Sequence, residues 1–562
     1  MTNAGAAVVA VQRRAERRVV ETLRGQGAVS ADRAVPLQMS RPGGHIALRR
    51  LIRAQAVRES GDRYWLHEGS YEAMREARRV RIVFLLVVIA AAAIAAFAVG
   101  VFRADAQTPA TQTPAVRPDQ AAFRDLYEEL VETNTTLSEG SCTLAAERMG
   151  ARLLAAGYPS ADVRVLVPAE RPKDGNLSAV LHGTDRAAAP MLLLAHIDVV
   201  EANRADWTRD PFTLVEEDGY FYARGATDDK AQASVWVDTL VRLKAQGFRP
   251  RRDIKLALTC GEETADTWNG VEWLLANHPD ALRAGFALNE GAGGQLDAQG
   301  NRIALNVQAG EKLYQDYTLE LTNPGGHSAR PRKDNAIAAM SRSLAALGDH
   351  DFAIELNPVT RAYFAAVAET SPQYAADLRA LTATDTPDAA AAARLSAANP
   401  VWNATLRTTC IPTLISGGHA PNAQPQRVTA NVNCRIFPGH TIAETQAEIA
   451  RVLNNPAIAI TTVGAPDPTS PPPPLSPAIL DPIRQIAGRI WPGVPVVPTM
   501  SVGATDGRFT NKAGIPTYGV TGMFGDPDGG GAHGLNERIR VRSLYEGRDF
   551  LFDLVKAYAM QR

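Results

Sequence analysis

Between residues 163 and 290 five short apolar runs, VRVLVPA, NLSAVLHG, MLLLAHIDVV, IKLALTC and FALNE, alternate with helical stretches such as DDKAQASVWVDTLVRLKAQG. Apolar runs of this length are the pattern of strands covered on both faces. This part of the chain is therefore restricted to an α/β layer, a sheet with helices packed on it. Several runs also end alike. His196 and Asp198 close the third, Glu262 and Glu263 follow the fourth, and Glu290 ends the fifth. ARGATDDK sets Asp228 and Asp229 at a loop-to-helix junction, and GAHGLNE, far downstream, supplies His533. Ligands of open α/β sheets gather at the carboxyl ends of strands, so these groups are expected to converge on one crevice. Taken singly, a His-x-Asp is usually structural, an Asp pair before a helix usually caps it, and a Glu pair is usually solvated. Together, carboxylates straight after buried strands face costly desolvation unless a cation compensates them. Two histidines and three carboxylates suit two zinc ions, and manganese or cobalt suits the same donors.

A chain of 562 residues is too long for one ordinary core. Helical patterns open at residue 121, and the α/β layer follows. Around residue 310 the pattern changes to YQDYTLELTN, a helix through DNAIAAMSRSLAALG, an Ala-rich helical stretch near 361–398, two strands, the helix TIAETQAEIARVLNN and the strand IAITTV. That is a βαββαβ-like unit with a helical insertion. The tract DPTSPPPPLSP (467–477) reads as a stiff connector, after which strand and helix signals resume. One α+β domain, 310–466, is thus inserted into a catalytic domain formed by 121–309 and 467–562.

The 59 Lys+Arg against 60 Asp+Glu leave a net charge of −1, and nothing global points to nucleic acid. The total conceals an asymmetry, because residues 1–81 hold 16 Arg, no Lys and 8 Asp+Glu. This basic segment carries two amphipathic patterns and RYWLHEG, suggesting a small helical, winged-helix-like unit whose Arg-rich faces read as solvated or membrane-proximal. Ile82–Phe102 follows, 21 uncharged residues, enough to cross a bilayer core of about 30 Å at about 1.5 Å per residue. Arg78, Arg79 and Arg81 before it orient the chain with everything after residue 102 exported. Ala104-Asp105-Ala106 is a signal-type cleavage site at the head of the linker 103–120, so 82–102 reads either as a retained anchor or as a cleaved signal. Translation from Met74 alone would give a complete secretory signal, which leaves residues 1–73 either a cytoplasmic unit or an over-extended gene model.

Cys142, Cys260, Cys410 and Cys434 form no C-x-x-C pair, which excludes a cysteine zinc knuckle. Export permits disulfides. Cys410 and Cys434 lie in two strand-like runs that can pair antiparallel and be bridged, whereas Cys260, at the end of an apolar strand, reads as a buried thiol.

The ordered series HIDVV, RGATDDK, GEE, NEG, GGHSA and HGLNE resembles the dizinc metallohydrolases that include carnosinases, glutamate carboxypeptidases, aminoacylase and bacterial dipeptidases, over about residues 121–562. The inserted unit is similar to that family's lid or dimerisation domain. The resemblance implies that Asp228 bridges both metals, that His196 and Glu290 complete one site and Glu263 and His533 the other, and that the Asp228–Asp229 bond is cis. It implies that Asp198 hydrogen-bonds the His196 imidazole. Glu262, one residue before a ligand, is the candidate general base for an attacking water. His327 in NPGGHSARP, by itself a turn histidine, would stabilise the oxyanion, often from the partner subunit of a dimer. Asn422 and Arg435 would anchor a terminal carboxylate, and Asp506 and Arg508 read as a structural ion pair.

These readings converge on an exported dizinc exopeptidase, a dipeptidase or carboxypeptidase, dimeric through its lid. An N-acyl-amino-acid hydrolase is the alternative, since both act on substrates with a free carboxylate. A membrane-tethered peptide-binding or sensor protein is the non-catalytic alternative, and requires an uncleaved anchor.

Overall fold

The computed structural model describes residues 117–264, 267–464 and 470–562 and, nearer the N-terminus, 16, 18–37, 47–48, 51–52, 56–61 and 63–71. The apolar run 82–102 and the cleavage site at 104–106 lie outside the described residues. Among the described residues no helix is long and apolar enough to cross a membrane.

The N-terminal part is a compact unit of its own. Its strands Val57–Ser60 and Arg63–Leu66 pair antiparallel around a turn at Gly61. Val19, Val20, Leu23, Leu51, Val57 and Leu66 bury together, the apolar faces of the amphipathic patterns in its sequence. Arg24 reaches across to Glu68 with two hydrogen bonds of 2.7 and 2.6 Å.

The second unit runs from residue 116 to the C-terminus. Its strands are β1 (Val163–Leu166), β2 (Asn176–Leu181), β3 (Met191–His196), β4 (Ile254–Thr259), β5 (Phe286–Asn289), β6 (Gly294–Leu296) and β7 (Arg302–Glu311). They continue with β8 (Leu313–Thr322), β9 (Thr409–Gly417), β10 (Arg427–Ile436), β11 (Ala459–Val463), β12 (Val496–Ser501), β13 (Thr517–Gly519) and β14 (Phe524–Gly525). Among the described residues, ten of these form one mixed sheet in the order β14-β6-β7-β13-β5-β3-β4-β2-β1, with β12 also paired to β7. The middle strands are parallel, β3 lying between β4 and β5 and β5 beside β13.

Both sheet faces are covered, as the unbroken apolar runs require. Leu193 and Ala195 of β3 join the core formed with helices Pro118–Val131, Lys230–Ala245 and Val541–Met560. Leu192 and Leu194 face the opposite way, onto Val271, Leu274 and Leu282. Parallel register sets His196 opposite Thr259, so the loops that leave β3, β4 and β5 emerge at one edge.

Lys312 alone separates β7 from β8, which belongs to a second, antiparallel sheet in the order β9-β10-β8-β11. Helices Ala336–Gly348 and Ile442–Leu453 cover one face of it through Met340, Leu347, Ile449 and Leu453, completing a βαββαβ order. Between the first helix and β9 run four further helices, Pro358–Thr370, Ala375–Thr382, Ala389–Ala398 and Pro400–Leu406, with an apolar cluster of their own that includes Phe364, Leu378, Leu395 and Trp402. Val359 of the first joins the main core.

All four cysteines are paired. Cys410 and Cys434 stand directly opposite in the β9–β10 register and are bridged. Cys260 is not a free thiol as its sequence context suggests. It is bridged to Cys142, which the helix Cys142–Ala155 presents from 118 residues earlier in the chain. Local pattern carried no trace of that partner, because the helix and the end of β4 meet only through the sheet.

Candidate active site

The strand-end residues meet as the sheet edge dictates. Asp228 stands between the two histidines: its Oδ1 is 3.0 Å from His196 Nε2 and its Oδ2 is 3.2 Å from His533 Nε2. Glu290 Oε1 lies 3.9 Å from His196 Nε2, and Glu263 Oε2 lies 3.0 Å from His533 Nε2. One ligand atom from each of His196, Glu262 and Glu290, and likewise from His196, Asp228 and Glu263, falls within 4.8 Å of the others. The Asp228–Asp229 peptide is cis. His533 sits at positive φ (58°) just after a run of three glycines, Gly529–Gly531, that also take positive φ and let so tight a loop form.

His196 is buried, and its Nδ1 donates to the carbonyl oxygen of Asp198 at 3.0 Å. That bond fixes the tautomer and turns the Nε2 lone pair toward the carboxylates. The expectation that the Asp198 side chain does this is corrected here: its nearer oxygen is 3.6 Å from Nδ1. The carboxylate instead accepts the backbone N–H groups of Glu262 (3.3 Å) and Glu263 (3.0 Å), so Asp198 ties the β3 loop to the β4 loop.

The electrostatics call for positive charge. Burial pushes the Glu262 and Glu290 carboxyls well above the ordinary carboxylate range, and neighbouring carboxylates add to it. For Asp228 burial acts in the same direction, but its contacts with His196 and His533 outweigh it and hold the group far below that range. The bonds from Asp228 and Glu263 raise His533 to about 10. In His196 burial favours the neutral ring and is overcome by the surrounding carboxylates. This donor set fits divalent metal: nitrogen and oxygen atoms only, too many carboxylates for two imidazoles. Its donor separations also suit ligands sharing one ion at bond lengths of about 2.0–2.2 Å.

A supporting residue went unnoticed in the sequence. Glu537, fully buried, accepts from Arg224 Nη1 (2.8 Å) and from the backbone N–H groups of Gly225 (3.0 Å), Thr227 (2.8 Å) and Asp228 (3.0 Å). It clamps the ARGATDD loop to the loop that carries His533. The available signal was an acid four positions after His533 in HGLNE, together with an Arg four before Asp228. Asp506 is also buried, but its carboxylate accepts from Thr259 Oγ1 (2.9 Å) and Asn269 Nδ2 (2.6 Å). It braces the end of β4 through neutral donors, beyond the ion pair expected from the sequence.

Three predicted residues stand apart from this cluster, on the inserted sheet. His327 is exposed on a two-residue strand, Gly326–His327, paired with Ala423–Gln424, and its Nδ1 accepts the Ala329 N–H at 3.1 Å. Asn422 adjoins the same ribbon, its carbonyl accepting from Ser328. Arg435 lies on β10 with its guanidinium 4.5 Å from the centre of the Tyr314 ring.

An α/β sheet that gathers imidazoles and carboxylates of this kind at its strand ends defines a metal-dependent hydrolase. The chain belongs to the family described as Peptidase family M20/M25/M40, whose profile matches residues 192–557. It is 26% identical over 449 residues to the human N-fatty-acyl-amino acid synthase/hydrolase PM20D1, covering 78% of this chain and 88% of that protein. It is 28% identical over 386 residues to the Probable carboxypeptidase S-like 2 of Dictyostelium discoideum, covering 66% and 72%. Among solved structures, an M20 family metallo-carboxypeptidase from Sulfolobus solfataricus shares the fold with a TM-score of 0.58 at 19% identity, over 78% of this chain and 99% of that one. Human carnosine dipeptidase 1 does so with 0.52 at 16%, over 78% and 96%.

Proposed function

We propose that this protein is an exported dizinc amidohydrolase that cleaves the amide bond to a C-terminal amino acid, in N-acyl amino acids or small peptides with a free carboxylate. The observation that carries this is Asp228 set between His196 and His533 with Glu262 beside them. Likeness to PM20D1 over most of the chain favours the N-acyl branch. Likeness to carboxypeptidase S-like proteins supports the peptide branch. Two disulfides suit an oxidising compartment and support export. Exposed Ile411, Leu414 and Ile415 on the edge strand β9 support a homodimer through the inserted domain.

His196, Asp228 and Glu290 would hold one zinc, and Asp228, Glu263 and His533 the other. When bound, the ions supply Lewis-acid polarisation of the scissile carbonyl. Glu262 takes a proton from the attacking water and returns it to the leaving nitrogen. The C–N bond breaks, the hydroxyl stays on the acyl carbon and the amine departs as the free amino acid. His327 donates to the developing oxyanion, and Arg435 with Asn422 holds the substrate carboxylate. Asp198 positions Glu262 through its backbone N–H.

The test is metal content together with hydrolysis of N-acyl amino acids and dipeptides by residues 107–562, with and without chelator. Two metals per chain, chelator-sensitive cleavage, and a Glu262→Gln variant that keeps metal and loses turnover are expected. A metal-replete protein that cleaves nothing in the panel would move the assignment to a tethered binding protein.

A further inference from the structure

Two cavities open beside the hydrolytic cluster and share part of their walls. The inner one, about 290 Å³, begins at Asp228 and Glu290 and is otherwise walled chiefly by backbone, Ala292, Met523, Phe524 and Ile539. The outer one, about 360 Å³, shares Gly291 through Gly294, Gly525 and Asp526 with the first. It extends to Met500 and to Tyr363, Val401 and Thr405 of the helical insertion. Together they reach the size of a small-molecule site and run from the reacting centre to the insertion.

The charges in this passage discriminate between substrates. Of the acids lining the inner cavity, Asp228 and Glu290 belong to the hydrolytic cluster, Asp229 is buried, and Asp526 accepts two hydrogen bonds from Arg540, 2.9 and 2.6 Å long. Arg538 in turn is paired with Asp528 at 2.7 Å. A free α-ammonium would have to displace Arg540 to find a partner, and a carboxylate would meet the acidic wall. An uncharged chain meets neither cost, and burying it against Met523, Phe524 and Met500 is favourable.

Resting on the amidohydrolase reading, we propose that this double cavity holds an extended apolar acyl group on the carbonyl side of the scissile bond. The preferred substrates are then long-chain N-acyl amino acids, and the passage at Gly525 measures chain length. Gly525 lines both cavities, and a Cβ built there meets nothing within 4 Å. A large side chain at this position projects into the passage and leaves the protein's own packing in place.

The experiment measures kcat/KM for the acetyl, octanoyl and palmitoyl derivatives of one amino acid and for a free dipeptide, using metal-loaded protein. Specificity is expected to climb with chain length, by up to about fourfold per methylene for a transfer free energy of about 0.8 kcal/mol, until the cavity is filled. Gly525→Trp should lower the palmitoyl-to-acetyl ratio by about tenfold or more. Val401→Glu, at a half-exposed position on the outer cavity alone, should penalise palmitoyl and spare octanoyl. Calorimetric binding to the Glu262→Gln protein gives a readout independent of turnover: tighter binding of palmitoyl than acetyl substrate, with the difference abolished by adding Gly525→Trp. Cleavage of the whole series with a flat chain-length profile, a preference for the free dipeptide, or ratios unmoved in both variants would overturn the acyl site and leave the amidohydrolase reading standing. Cleavage of no member of the series would overturn both.

Discussion

Replacing Glu537 tests whether the site is held from behind. Its carboxylate accepts four hydrogen bonds, one from a guanidinium and three from backbone N–H groups, and it is fully buried, with Arg224 only 2% exposed. In Glu537→Ala the Arg224 charge remains buried without its carboxylate. Breaking a buried pair from one side costs about 3–5 kcal/mol. Each orphaned N–H adds up to about 1–3 kcal/mol where water cannot enter. These costs overlap, so a loss of about 4 kcal/mol or more is expected, against a total stability of about 5–15 kcal/mol for a folded domain. Because the Asp228 N–H is among the lost donors, metal affinity should fall as well, by about 10–100-fold as for other residues that orient ligands. Thermal unfolding and competition with a chromophoric chelator measure the two effects. Adding Arg224→Ala to Glu537→Ala should cost much less than the sum of the single changes. Wild-type unfolding and wild-type metal affinity in Glu537→Ala, or strict additivity in the double variant, would refute the clamp.

Three further expectations concern other parts of the chain. Lys312, buried where the chain crosses between the sheets, is lowered to about 7 by burial and by the charges of Arg435 and Arg407. Its folded form sheds a proton that the unfolded chain keeps up to about 10.4, so stability should rise with pH across that interval. Lys312→Met should raise the Tm most near pH 7 and least near pH 10, and an equal gain at both would contradict this. Removing the Cys142–Cys260 bridge with alanines, which opens a separation of 118 residues, should cost about 2–5 kcal/mol. It should also depress turnover more than metal content, because Cys260 lies two residues before Glu262; a matched fall in both would not fit. His327→Ala should keep both metals and lower kcat by about 10²-fold. Unchanged kinetics would leave it a turn residue.

The metal-site candidates were legible in the chain because each lies a residue or two beyond a strand whose burial is written in its own side chains. His196 after MLLLA and Glu290 after FALN needed only the rule that parallel strands end at one edge. Hydrogen-bond partners were less legible, since they depend on the direction in which a loop turns. Asp198 was expected on the imidazole and instead holds the N–H groups of Glu262 and Glu263, while its carbonyl oxygen serves His196.

What the sequence determined by itself is therefore local: which runs become buried strands, which residue types stand at their ends, and that so much carboxylate in one crevice needs cations. Tertiary structure alone decided the pairing of Cys142 with Cys260, the closing of Glu537 over Arg224 and the Asp228 loop across 309 to 313 residues, and the joining of two cavities at Gly525. Each depends on segments that no local periodicity relates. Their meeting is fixed by the packing of sheet, helix and loop, and appears only once the chain has closed on itself.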